Sequence, residues 1–350
     1  PEPDMDAALI AKLQAVRPPV TGINGYAALR ELPPADEAVK KIACPRSTSD
    51  CLAFAREHEA EYQAVLATLQ AWDAQVDTLQ TYDYFRPLAD EDYASDEWPS
   101  FAALTAARSL HARRFLDGEV EAAQRGACRD ILLGQRLLRS QDLLPLSLSG
   151  AAMTDRNVEL LAHMRAKLSP DAPWPAPCDT LQPLPQETLA LCPLMYGEWL
   201  GGSESTHADD AKIAADPNAS DAEKTIYFIF MHQVEAQWLY KNSRYCLPEI
   251  LAAVAHDEVR VPAPEQRKKY CSPLNPVCKI EGPDWSNYQA RLLNANRYLR
   301  AFELLQHPEA PLPSGYSRDG NAISFSLHPE KADAPEPTIT LPLPGSRLNR

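Results

Sequence analysis

Along most of this chain apolar residues recur every three or four positions, the spacing that lines one face of a helix. In EHEAEYQAVLATLQAWDAQVDTLQ, residues 57–80, Tyr62, Val65, Leu66, Leu69, Trp72, Val76 and Leu79 form one such stripe and predict a long helix. Residues 100–140 predict two helices, the first carrying Phe101, Leu104 and Leu110, the second Val120, Ile131, Leu133 and Leu137. Asp117-Gly118 interrupts them, the glycine suiting a helix end and the aspartate the next cap. TDRNVELLAHMRAKLSP predicts another helix, capped by Thr154 and stopped before Pro170. Further helices fit 185–200, 220–242, 247–256 and 286–306.

After residue 307 the period changes from helical to alternating. GYSRDGNAISFSL places Ile323, Phe325 and Leu327 on one side of an extended segment after an Asp-Gly turn, and TITLPL at 338–343 alternates again. The fold class expected is therefore mainly α: an irregular multi-helix bundle or α-solenoid-like array with a small C-terminal β-hairpin. Residues 1–307 would form the helical domain, and 308–350 a hairpin and tail packed on it. No fixed 34-residue period supports a tetratricopeptide array. Tyr227, Phe228, Phe230, Trp238, Tyr240 and Tyr245 crowd one segment and point several ways, the pattern of a central helix buried on most sides.

The eight cysteines change the picture most. CPRSTSDC at 44–51 and CSPLNPVC at 271–278 repeat the same six-residue gap around proline and serine. Zinc knuckles place thiolates two to four residues apart, and redox pairs use C-x-x-C; neither spacing occurs. Local disulfide loops, Cys44 with Cys51 and Cys271 with Cys278, are the expectation. Cys178 and Cys192 bracket a third proline-rich loop, and Cys128 and Cys246 fit a long-range pair or buried thiols equally well. With 32 prolines against 13 glycines the connections are stiff, especially 169–185 and 262–283. Persisting disulfides point to an oxidising compartment, most simply a bacterial periplasm. PEPDMDAALI, with no initiator Met, basic segment or apolar core, reads as a mature or trimmed start.

Charge limits the partners. A net charge of −14 argues against nucleic acid and anionic membrane, and no apolar run reaches spanning length. Arg267, Lys268 and Lys269 form a short basic cluster best read as a solvated loop, while DEDYASDE at 90–97 is an acidic loop. Asp90, Glu91, Asp92, Asp96 and Glu97 are its candidate contacts with a basic protein surface.

Tests for chemistry return little. GGSES at 201–205 approaches G-x-S-x-G, but Ser203 follows a helix where a nucleophile elbow needs a strand; a flexible helix exit is the expectation. HDE at 256–258 and HADD at 207–210 read as solvated helix ends, and Glu57, Glu59 and Glu61 as exposed helix charge. Phosphate-loop and dinucleotide signatures are absent. No catalytic residue, cofactor or metal ligand is assigned.

Several stretches in order, NGYAALREL, DCLAFAREHEAEYQAVL, TYDYFRP, FLDGEVEAA, LLGQRLLRSQDLLPLSLSGAAM, CDTLQPLPQETLALCPLMYGEW and LPSGYSRDGNAISFSL, resemble a family of uncharacterised envelope proteins of β- and γ-proteobacteria. The resemblance implies an exported helical protein with structural cysteines at Cys51, Cys178 and Cys192, and no reaction. The functional expectation is a non-enzymatic periplasmic protein-binding protein, of the kind that serves as immunity or inhibitor protein against a secreted toxin or effector. The alternatives are an envelope hydrolase with an unmatched site and an envelope structural or assembly factor.

Overall fold

The computed structural model describes residues 3–15, 17–34, 36–45, 50–87, 99–263, 270, 272, 274–275, 285–331 and 334–346. Twelve α-helices occur among them: α1 (Pro3–Ala15), α2 (Tyr26–Arg30), α3 (Glu37–Ile42), α4 (Cys51–Glu57), α5 (Glu59–Thr78), α6 (Ala102–Leu116), α7 (Val120–Ser140), α8 (Leu144–Ala166), α9 (Leu194–Ala215), α10 (Asp221–Ser243), α11 (Pro248–Ala255) and α12 (Ser286–Gln306). A sheet follows, β1 (Tyr316–Asp319), β2 (Ala322–Ser326) and β3 (Thr338–Pro342), antiparallel throughout in the order β1-β2-β3. The mainly-α class with a small C-terminal β element holds, and TITLPL adds a third strand to the hairpin.

The packing is that of a bundle around α8. This helix touches α7, α12, α6, α4 and β3, whereas a solenoid repeat meets only its neighbours. Glycine permits the closest of these contacts. A Cβ on Gly150 would lie 2.5 Å from the Gly134 carbonyl oxygen, and one on Gly134 would lie 2.7 Å from that of Gly150, so α7 and α8 meet backbone to backbone. Leu137 is buried beside the contact, its Cβ 3.0 Å from where a Cβ of residue 150 would lie.

Two local expectations change. Thr154 is no cap: α8 starts ten residues earlier, with Pro145 in its first turn, and the buried Thr154 hydroxyl donates back to the Gly150 carbonyl at 2.9 Å. Proline at that position lacks an N–H the helix start does not need, so it opens the helix. Asp117 does not cap α7 either; its carboxylate accepts from Arg113 one turn earlier, Nε lying 2.9 Å from Oδ2. Gly118, at φ +89°, makes the turn itself.

A buried ionic network pins α5, α6 and α7 together. Asp73 accepts from Arg114 Nη1 at 2.6 Å and Arg129 Nη2 at 2.5 Å, Arg129 also reaches Asp130 at 2.6 Å, and His111 Nε2 lies 2.9 Å from Asp130 Oδ2. Burial alone would raise the Asp73 carboxyl, but His111, Arg129 and Arg114 together hold it below its ordinary value. The sheet rests on α8 through β3 and on α12 through Phe325 of β2, whose ring lies 5.3 Å from Tyr298 on α12 and 5.2 Å from Tyr316 on β1.

Candidate functional site, an apolar helical hairpin

The aromatic segment turns out to be only half covered. Helices α9 and α10 form a hairpin about 33 Å long, at ~1.5 Å per residue. Its root lies in the core, where Leu194, Met195, Trp199, Leu200 and Leu239 are buried. Gly202 lets the helices close: a Cβ there would fall 2.2 Å from Cζ3 of Trp238. The turn is set by Asp216, whose carboxylate accepts from Asn218 N at 2.8 Å, and by Ser220 and Glu223, which form a reciprocal capping box at the start of α10.

Disulfides fix this arrangement, and they differ from the expected pairing. Cys192 precedes α9, Cys246 follows α10, and the two are joined across the hairpin root with Cα atoms 4.8 Å apart. Antiparallel helices bring exactly such flanking residues together. Cys178 therefore pairs not with Cys192 but with Cys128 on α7, tying the proline-rich connection to the bundle core at a Cα separation of 5.1 Å. Cys128 and Cys246 are thus neither partners of one another nor buried thiols. Cys44 and Cys51 close the first local loop, with Cα atoms 5.6 Å apart. Cys271 and Cys278 lie outside the described residues, as do Arg267, Lys268, Lys269 and the acidic candidates Asp90, Glu91, Asp92, Asp96 and Glu97.

Toward the tip, α10 turns apolar side chains to solvent. Ile226 is 53% and Ile229 52% exposed, flanked by half-buried Tyr227, Phe228 and Phe230. Segment 220–242 is thus no helix buried on most sides. α9 and α1 cover other sides of it. The backbone N–H of Tyr270 donates to Gln237 of α10 at 3.0 Å and that of Ser272 to Gln233 at 3.1 Å. Acidic charge rims the patch: residues 209–224 hold five carboxylates, Asp209, Asp210, Asp216, Asp221 and Glu223, against Lys212 and Lys224. Lys212 is 2.9 Å from Asp209 and Lys224 donates to the Ala214 carbonyl at 3.0 Å. Burial, then Asp209 and Asp210, raise the Tyr227 phenol, which places these acids beside the patch.

Ser203 lies within α9, not at a flexible exit, and is buried. Its hydroxyl donates to Glu235 Oε1, while His232 Nδ1 lies 3.8 Å from Glu235 Oε2. The order is serine, carboxylate, imidazole, and an activated serine needs the imidazole in the middle. The link braces the two helices. Of the HDE stretch, His256 and Glu258 are exposed, but Asp257 adopts a left-handed φ of +60° and clamps α12 to the sheet region, 3.0 Å from Arg297 Nε and 3.4 Å from His328 Nε2. Burial would raise the Asp257 carboxyl; His328 and Arg297 outweigh it and lower it. Glu57, Glu59 and Glu61 are exposed. Among the described residues no group of three or more His, Cys, Asp or Glu side chains could hold a metal ion, and no helix is long and apolar enough to cross a membrane.

Comparison with protein-family models, curated proteins and solved structures finds no match.

Proposed function

We propose that this chain is an exported, periplasmic binding protein that uses the α9–α10 hairpin to hold a basic face of another protein. Within that class it serves as an immunity or inhibitor protein for a secreted toxin or effector. The observation that carries the reading is the exposed Ile226–Ile229 patch on a hairpin whose root is closed by Cys192–Cys246. Exposed apolar residues grouped within a polar rim mark interaction surfaces more often than singly scattered ones do. A covalently held root reduces the conformational freedom lost on binding, and the acidic rim selects a positively charged partner and speeds its approach. The disulfides accord with an oxidising compartment.

The experiment is photo-crosslinking in the native envelope from a probe at position 229, with a probe at the exposed Arg318 of β1 as control. The expected result is one adduct, specific to position 229, with a protein whose contacting peptide is rich in Lys and Arg. An adduct between two copies of this chain would make the patch a self-association surface and contradict the proposal. So would the same adducts from both positions, or none.

A further inference from the structure

The outward residues of α10 keep a regular spacing. Ala222, Ile226, Ile229 and Gln233 follow one another at intervals of four, three and four, the first three exposed and Gln233 half-buried. That is the seam spacing by which one helix packs lengthwise on another. The row covers about three turns, or ~16 Å at ~1.5 Å per residue. At its inner end, Asn275 Nδ2 donates to the Phe230 carbonyl at 2.9 Å, and the Ser272 N–H to Gln233 Oε1 at 3.1 Å. Leu274, between those two residues in sequence, is 84% exposed, so a further large apolar side chain borders the row. At the outer end, Asp221 and Glu223 flank Ala222, and both are exposed.

Elementary chemistry narrows what can cover this surface. The backbone of α10 is bonded within the helix, so it offers an arriving extended segment no ladder. Such a segment would lose water from its own N–H and C=O groups over the isoleucines without replacement. A helix satisfies its own backbone and brings only side chains to the contact. A second copy of this chain would set a net charge of −14 against −14, with Asp221 and Glu223 at both seams, which opposes self-pairing. A helix carrying Lys or Arg beside its apolar stripe meets the opposite sign instead.

We propose that the α10 row and Leu274 receive a cationic amphipathic helix of the partner, laid lengthwise along α10. The proposal rests on the reading that the hairpin holds a basic protein face, and it names the element that face contributes.

The test titrates three peptides into the intact protein, each about 18 residues, long enough for measurable helicity. One places Leu and Lys at the helical period, the second has the same composition in strict alternation, and the third places Leu and Glu at the helical period. The helical Lys peptide is expected to bind at least about tenfold more tightly than either of the others. Ile229→Glu and Leu274→Glu, both at exposed positions, should each weaken it about tenfold. An added glutamate would strengthen an attraction resting on charge alone, so this loss reports the apolar seam. Equal binding of the alternating peptide, affinity retained in both variants, or no binding of the helical Lys peptide would overturn the proposal. A basic protein crosslinked from position 229 without peptide binding would overturn the helical element and leave the broader reading standing. Peptide binding without any crosslink would support the element and contradict that reading.

Discussion

Cys192 and Cys246 lie at opposite ends of a two-helix excursion, 54 residues apart in sequence, and a disulfide joins them at its root. The same excursion carries Ile226 and Ile229 at its outer end, so the crosslink and the exposed patch belong to one element. Glu198 of α9 fastens the root a second time, accepting from the Leu144 N–H at the start of α8 at 3.2 Å.

Removing that crosslink should loosen the hairpin before the rest of the bundle. For a loop of this length the chain-entropy model assigns about 4 kcal/mol. The Cys192→Ala/Cys246→Ala pair is therefore expected to lower the urea midpoint clearly and to speed amide exchange in α9 and α10 more than in α7 and α8. An unchanged midpoint, or exchange accelerated evenly, would show that the disulfide does not hold the root. For Cys44–Cys51, with its short loop, the same model gives about 2.5 kcal/mol, so its removal should cost less.

Gly150 and Gly202 make contrasting substitutions. Alanine in a helix is favoured over glycine by about 1 kcal/mol, but at Gly150 its Cβ would press on the Gly134 carbonyl, and overpacking costs about 1–3 kcal/mol. Gly150→Ala should therefore destabilise. Gly202→Ala meets the Trp238 ring instead of backbone, so it should shift tryptophan fluorescence with a smaller loss of stability. A Gly150→Ala protein as stable as the parent would refute the backbone contact.

Glu198 makes stability depend on pH. Burial raises its carboxyl from 4.5 to about 7, with the Leu144 N–H opposing. The folded state thus holds the proton more tightly than the unfolded chain. Its stabilising contribution is complete below the ordinary carboxylate pKa and is lost as pH rises through about 7. Glu198→Gln, which stays neutral, should gain stability relative to the parent over that interval. Asp73 acts in the opposite sense: its lowered carboxyl contributes stability above its ordinary pKa, lost as acid protonates it. Parallel melting curves for the parent and Glu198→Gln across the interval would contradict the first assignment.

What the sequence disclosed was periodicity, and periodicity says where apolar side chains lie, not what covers them. The stripe from Tyr62 to Leu79 gave α5 directly because both its length and its burial follow from spacing. The aromatic stretch of α10 had equally apolar character, yet Ile226 and Ile229 face solvent because α9 and α1 cover other sides. Cysteine pairing failed for the same reason. Cys44 and Cys51 meet through a short loop, but Cys192 meets Cys246 only once α9 and α10 lie antiparallel. Thr154 was misleading because a threonine within a helix can bond back to a carbonyl as readily as it caps one. Arg108 of α6 is buried without any signal in the sequence, since an arginine in an alanine-rich helix looks exposed until its neighbours are placed.

The central claim is that the acid-rimmed tip of α9–α10 contacts a basic protein, and association kinetics with the protein crosslinked at position 229 test it most directly. The Ile226→Glu/Ile229→Glu variant, changed only at exposed positions, should keep its stability within about 0.5 kcal/mol. It should dissociate at least about tenfold faster, and Asp209→Asn/Asp210→Asn/Asp221→Asn should slow association, most at low salt. For the parent the association rate should fall as salt rises, with little change in dissociation. A salt-insensitive association rate together with unaltered dissociation in the isoleucine variant would contradict the account.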